Sequence, residues 1–260
     1  MDLITSTKNP KIRHLLDLQQ KSSERRAAGL FVVEGRRELG QALRAGYEVD
    51  TVFCQPDLLG EMTLPEGARC YDVTREVYER IAYRGGTEGV IALLRARDLS
   101  DLNMLKGHNT PLFIVLEGVE KPGNLGAVLR TADAAGVTGV IVCDPLTDLY
   151  NPNLIRASLG GIFTVPTVAC DSQQAIAMLK GEGVCILTAQ LQDSHLYYDT
   201  DMTGPTALVM GTESTGLTEQ WRRAADAHIR IPMLGQLDSL NVSVSAAILT
   251  FEAVRQRRLT

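Results

Sequence analysis

The sequence predicts an α/β protein of two domains, the second built on a parallel sheet. Short β-branched runs alternate with helix-like segments along the chain, the pattern of α/β folds. In the second half the strand candidates are continuously apolar, as strands buried on both faces of a parallel sheet must be. At 260 residues the chain is long for one hydrophobic core and comfortable for two, since single domains run to about 100–200 residues.

FVVEG (31–35), VDTVFC (49–54) and GVIALL (89–94) are the strand candidates of the first domain. A polar bridge, RARDLSDLNMLKGHNTP (95–111), separates them from a new apolar strand, LFIVLEGV (112–119), which gives domains 1–104 and 105–260. TGVIVC (138–143), GVCILTA (183–189), TALVMG (206–211) and HIRIPM (228–233) continue the second sheet. NLGAVLRTADAAG reads as a helix with Asn124 placed to cap it. A last helix is expected from about Leu240 to Arg258, with Val244, Ile248, Phe251 and Val254 at helical spacing as the face to bury.

Composition narrows the function classes. No apolar run approaches the roughly 18 residues of a membrane span, and the N-terminus lacks the apolar stretch of a secretory signal. A cytoplasmic protein without a membrane partner is expected. Cys54, Cys70, Cys143, Cys170 and Cys185 form no CxxC pair and read as reduced core residues. The histidines show no ligand spacing, so no metal is expected. The net charge of −5 argues against a protein that simply coats nucleic acid, yet it conceals an uneven distribution. Residues 1–37 carry eight Lys or Arg against four acids, while residues 101–260 carry eleven against sixteen. A basic stretch of this kind suits nucleic acid and a solvated helix face equally.

Three strand ends in the second half are dense in Gly, Asn, Ser and single charges, and such ends are where an open parallel sheet binds ligands. The first is KPGNLGAVLRTAD (121–133), where Gly123 and Gly126 permit close backbone approach. Arg130 is an isolated charge in a helix of small apolar residues; a buried or half-buried arginine needs a partner, either an anionic or hydroxyl ligand or a structural carboxylate. The second is MGTESTGLT (210–218), whose glycines resemble a phosphate loop. Leu217 stands where a nucleotide-hydrolysing loop needs lysine, and Glu213 would repel phosphate, although it can accept hydrogen bonds from hydroxyls or amines. The third is IRIPMLGQLDSLNVSVSAAILT (229–250), where Ser239, Asn241, Ser243 and Ser245 exceed what one helix cap requires. No GxGxxG follows a strand, which disfavours an oxidoreductase, and no GxSxG elbow supports a hydrolase.

In this order, NLGAVLRT (124–131), GTESTGL (211–217) and IPMLGQLDSLNVSVSAA (231–247) resemble the three motifs of the TrmH or SpoU family of RNA 2′-O-ribose methyltransferases, in the SPOUT superfamily. IRASLGGIFTVP (155–166) is similar to that family's stretch between the first two motifs, so the resemblance spans the whole second domain. STKNPKIRHLLDL (6–18) and FVVEGRREL (31–39) are similar to the small ribosomal-protein-like α/β domain with which many members bind RNA.

The resemblance implies a C-terminal trefoil knot, an exception to the usual absence of knots. It implies S-adenosylmethionine as cofactor, held near Gly211, Ile231, Met233 and Leu240, with Thr188 and Ala189 beside them. Asn124, Arg130, Glu213, Ser239 and Asn241 match its catalytic or site-organising positions, and Lys8, Lys11, Arg13, Arg36 and Arg37 become candidates for contacting rRNA or tRNA. It also implies a homodimer. With a pKa above 12, a guanidinium is a poor base at neutral pH. Arg130 is therefore expected to orient the ribose hydroxyl or its phosphate, with the proton passing to RNA phosphate or water. The rival reading is an RNA-binding protein that keeps this fold without activity.

Overall fold

The computed structural model describes residues 2–60, 62–65, 67–83, 88–212 and 215–259. Its elements are β1 (Asp2–Ile4), α1 (Pro10–Gln20), α2 (Ser22–Ala28), β2 (Leu30–Glu34), α3 (Arg36–Arg44), β3 (Val49–Cys54), α4 (Pro56–Leu59), β4 (Arg69–Val73), α5 (Arg75–Ile81) and β5 (Val90–Arg95). There follow β6 (Leu112–Glu117), α6 (Pro122–Ala135), β7 (Gly139–Cys143), α7 (Pro152–Ala157), α8 (Gly161–Thr164), β8 (Thr167–Cys170), α9 (Ser172–Gly181) and β9 (Cys185–Ala189). The chain closes with β10 (His195–Leu196), β11 (Thr206–Met210), α10 (Glu219–Ala224), β12 (Ala227–Arg230) and α11 (Val242–Leu259).

Two compact units result, one of Met1–Arg97 with Asp148–Thr164 and the other of Asp98–Thr147 with Val165–Thr260. The division therefore falls before the expected 104/105. Leu102 and Leu105 pack into the core of the second unit, and Ala169 N–H donates to Leu99 O at 2.7 Å, which draws the bridge to that side. Asp148–Thr164 joins the first unit because its apolar side chains pack there. Tyr150 stacks on Phe31 with ring centroids 4.2 Å apart, and Phe163 meets Tyr47 edge-on at 5.1 Å.

The first unit holds a mixed sheet in the order β1-β4-β3-β5-β2 among the described residues. α1 starts at Pro10 because proline suits a first helical position and Asn9 caps it, its side chain accepting from Lys11 N at 2.9 Å. Ile12, Leu15 and Leu18 turn one face of α1 into the core with Val32, Phe53 and Ile91. α2 ends at Gly29, whose φ of 62° is the left-handed conformation that glycine adopts without strain.

In the second unit every paired strand is parallel, in the order β10-β12-β9-β11-β6-β7-β8. β7 and β8 extend to one side of β6 and the later strands to the other, so the carboxyl ends of β6 and β11 flank the point where the strand order reverses. Ligands of open parallel sheets bind at such a point. α11 packs on α6 and β11, but not by the face expected from Val244, Ile248, Phe251 and Val254. Val242, Ala246, Leu249, Thr250 and Ala253 are the buried residues, while Val244 and Phe251 stay 46% and 47% exposed. Alanines let the helix approach closely, which the bulkier face does not. No helix among the described residues is long and apolar enough to cross a membrane.

Candidate active site

The carboxyl ends of β9, β11 and β12 open onto a cavity of about 340 Å³. Its apolar wall is Met210, Leu217, Ile231, Met233 and Leu240, and Val242 and Ser245 from the start of α11 close one side. Ala189, Gly211 and Gly216, with little or no side chain, leave backbone within reach beside them.

The loop after β11 is closed on itself. Thr212 and Gly216 form an isolated antiparallel bridge, with Gly216 N–H donating to Thr212 O at 3.0 Å. A Cβ on Gly211 would collide with the backbone of Gly216 and Leu217, which cannot yield as a side chain would, and so only glycine fits here. Beneath the loop Glu117, 5% exposed at the end of β6, accepts hydrogen bonds from Thr218 N–H at 2.8 Å and Thr218 Oγ1 at 2.6 Å. These charge-assisted bonds anchor the wall of the cavity to the sheet. A lone acid closing the LFIVLE run was the sequence signal for this clamp.

Asn124 does not cap α6. Lys121 occupies the cap position, and Asn124 lies inside the first turn, where its Oδ1 accepts from Asn241 Nδ2 at 3.1 Å. Asn241 in turn caps α11: its Oδ1 accepts from Ser243 N at 3.0 Å and from Ser243 Oγ at 2.6 Å. One asparagine thus organises the start of α11, next to Leu240 and Val242 of the cavity wall, and ties it to α6. Ser239 also lines the cavity, and its Oγ donates to Asp238 Oδ1 at 3.3 Å.

Arg130 is exposed rather than buried, and among the described residues it makes no ion pair. It lies one turn after Gly126 on α6, at a position from which its long side chain can stay in water. The structural-carboxylate alternative therefore has no support among the described residues. Glu213 lies outside the described residues.

Of the six positions expected to hold the cofactor, Ala189, Gly211, Ile231, Met233 and Leu240 line the cavity. Thr188 does not. It is fully buried in β9, its Oγ1 2.6 Å from Nδ1 of His228 on β12, because alternation along the strand turns it away from the cavity. Gln190, Arg222 and Arg230 also line the cavity, none of them singled out by the sequence. Gln190 Oε1 and Arg222 Nε are buried without a hydrogen-bond partner, an arrangement that is costly unless a ligand completes it. Among the described residues no cluster of three His, Cys, Asp or Glu could hold a metal.

In the first unit Lys8, Lys11, Arg13, Arg36 and Arg37 are all exposed. Lys11 Nζ sits 5.0 Å from the centre of the Tyr71 ring, and Arg36 Nε donates to Glu88 O at 3.1 Å. Arg25, counted within the same basic stretch, is 5% exposed and bound to Asp148 at 2.6 Å and to Leu18 O at 2.6 Å. Its charge serves the core of this unit and not its surface.

Residues 111–251 match the model of the SpoU rRNA methylase family, and residues 9–92 match that of the MRM3-like substrate binding domain. The chain is 36% identical to the 23S rRNA (guanosine-2′-O-)-methyltransferase RlmB of Vibrio parahaemolyticus over 74% of its own length and 79% of that protein. It superposes on a crystal structure of an RNA 2′-O ribose methyltransferase with a TM-score of 0.84, at 37% identity, covering 99% of this chain and 100% of the other. With the AdoMet-bound rRNA methyltransferase from Sinorhizobium meliloti the TM-score is 0.88, at 29% identity over 98% of this chain and 97% of that one.

Proposed function

The chain belongs to the SpoU rRNA methylase family, and from that premise we propose that it transfers a methyl group from S-adenosylmethionine to a ribose 2′-hydroxyl of ribosomal RNA. The observation that carries this reading is the cavity at the carboxyl edge of the parallel sheet, walled by the two loops that bear the family's second and third motifs and by the loop after β9. Its residues fit the cofactor. The apolar wall and the backbone at Gly211 and Ala189 suit an adenosine, and the buried, unpartnered atoms of Gln190 and Arg222 suit a polar end. The likeness to an AdoMet-bound methyltransferase favours this over an RNA-binding protein without activity.

When bound, the cofactor supplies a methyl group activated by its sulfonium. Displacement at that methyl is in-line, so the chain contributes mainly alignment. The cap at Asn241 and its bond to Asn124 hold the start of α11 against α6, fixing the wall that carries Ser239 and Leu240. Arg130, with its guanidinium exposed, orients the ribose hydroxyl or its phosphate and stabilises the charge that develops on oxygen. It does not take the proton, because a guanidinium is a poor base at neutral pH. The exposed Lys8, Lys11, Arg13, Arg36 and Arg37 guide the RNA backbone, which is neutralised by such side chains.

Three further features accompany this reading. The trefoil knot is supported by the course of the chain from β12, paired with β9, back to α11 on α6 and β11. A cytoplasmic location is part of the same proposal and is compatible with a ribosomal RNA substrate. A homodimer is supported by the apolar surface of Leu234 (97% exposed), Leu237 (76%), Val244 and Phe251, which water covers poorly. Sedimentation at a single-chain mass at micromolar concentration would refute the dimer.

Arg130→Ala tests the catalytic reading. Exposed and without an ion pair among the described residues, Arg130 should cost less than about 0.5 kcal/mol of stability when removed. Turnover on ribosomal RNA should fall about 100-fold or more at unchanged cofactor affinity, with methylated ribose mapped by mass spectrometry. A stable variant with near-normal turnover would remove Arg130 from the mechanism.

A further inference from the structure

Beside the main cavity lies a smaller one of about 260 Å³, with Gln190, Gln192 and Arg222 lining both. Its surface is mostly polar. Arg223 and Glu219 line it as a pair 2.9 Å apart, and Asp193 adds a second acid. Arg222 and Arg223 are thus balanced by Asp193 and Glu219, with His228, its Nδ1 2.6 Å from Thr188 Oγ1, completing the lining, which suits a zwitterion better than the purely anionic backbone of RNA.

Within that balanced lining two groups lack partners. Arg222 makes no ion pair among the described residues, and its Nε is buried without an acceptor. Gln190 has its amide nitrogen committed, Nε2 donating to Gln192 O at 2.9 Å, which leaves Oε1 buried without a donor. A cation lacking its anion and a carbonyl oxygen lacking its donor, on two residues that line both cavities, are complementary to an α-carboxylate and an α-ammonium on one carbon. The other arginine of the main cavity, Arg230, is already engaged, its guanidinium donating to Ser194 O and Ser194 Oγ.

We infer that this polar annex binds the amino-acid end of the cofactor, Arg222 pairing with its carboxylate and Gln190 Oε1 accepting from its ammonium. The inference rests on the reading that the main cavity takes S-adenosylmethionine, with the adenosine against the apolar wall. Neither residue touches the reacting methyl; both set affinity and the angle at which the cofactor lies.

Calorimetry on the full chain with three probes tests it: S-adenosylmethionine, decarboxylated S-adenosylmethionine, which keeps the ammonium, and 5′-methylthioadenosine, which has neither group. Arg222→Met should weaken S-adenosylmethionine about 10- to 100-fold, the scale of a hydrogen-bonded charge, and leave the other two unchanged. Gln190→Leu should weaken both ammonium-bearing probes several-fold and spare methylthioadenosine. Unchanged methylthioadenosine binding also reports that each variant is folded. Equal losses on all three probes, or no loss on S-adenosylmethionine, would overturn the annex while leaving the cofactor reading intact. A wild-type chain that binds neither S-adenosylmethionine nor methylthioadenosine would overturn both.

Discussion

Arg25 and Asp148 provide a test of how the first unit holds its distant segment. Arg25 is 5% exposed and Asp148 16%, with Nε and Oδ2 2.6 Å apart. Arg25→Met keeps the volume and apolar stem but strands Asp148, whose Oδ1 still accepts from Tyr150 N at 2.9 Å. Leaving one member of a buried pair without its partner costs about 3–5 kcal/mol. The remaining exposure of Asp148 places the expected loss near the low end, about 3 kcal/mol. Adding Asp148→Asn removes the stranded charge and keeps the acceptor for Tyr150 N–H, so the double variant should regain about 2 kcal/mol. Urea unfolding followed by the tyrosine-rich first unit reads these differences. A double variant as unstable as Arg25→Met alone would show that lost packing, not a stranded charge, sets the cost. The same substitution carries a functional control. Because Arg25 faces the core, Arg25→Met should leave the salt dependence of RNA binding unchanged, whereas Arg13→Ala should reduce its slope by about one.

Two other outcomes follow from the geometry. Asn241→Asp keeps an oxygen for Ser243 N–H, and a carboxylate is welcome at a helix start, so the melting temperature should hold; it loses the donor to Asn124, so turnover should drop, and unchanged turnover would leave Asn241 a cap alone. Burial pushes the Cys54 thiol from its ordinary 9.0 up to about 12, so the thiol's contribution is fully present below pH 9 and is lost as pH rises toward 12. Cys54 should therefore contribute a fall in unfolding free energy of about 1.4 kcal/mol per pH unit between pH 9 and about 12, and Cys54→Ala should lessen the slope in denaturant titrations by that amount, with the other thiols that burial raises keeping the rest.

The strands that the sequence marked were those whose burial is written in consecutive apolar residues, such as LFIVLE and TALVM. β1, β4, β8 and β10 escaped for a common reason. Each is short or half-exposed: DLI, TVAC and HL offer too few residues for a period, and RCYDV shows three half-buried positions in a row. The placement of 148–164 in the first unit was not legible either, because Tyr150, Leu154 and Phe163 advertise burial without saying in which core. Only partners distant in sequence, Phe31 and Tyr47, decide it.

At the site, the family resemblance located two of the cavity loops, and the glycine that backbone approach demands at Gly211 is visible in the sequence. Side-chain orientation was not. Arg130 looked buried because its neighbours are apolar, yet on α6 those neighbours, Leu125, Val128, Leu129 and Ala132, face the core while Arg130 falls outside their arc. Arg222 shows the reverse. In the sequence it is one of two adjacent arginines at the end of a short helix, a pattern that ordinarily means solvent. Trp221, fully buried beside it, fixes the rotation of α10, so that Arg222 lines the main cavity while Arg223 pairs with Glu219 in the smaller one beside it. α11 repeats the lesson with two apolar faces, since periodicity favours the larger side chains while close packing on α6 selects Ala246 and Ala253. The choice between faces is made by the distance between helices, a quantity that no single sequence window contains, and it leaves Val244 and Phe251 at the surface.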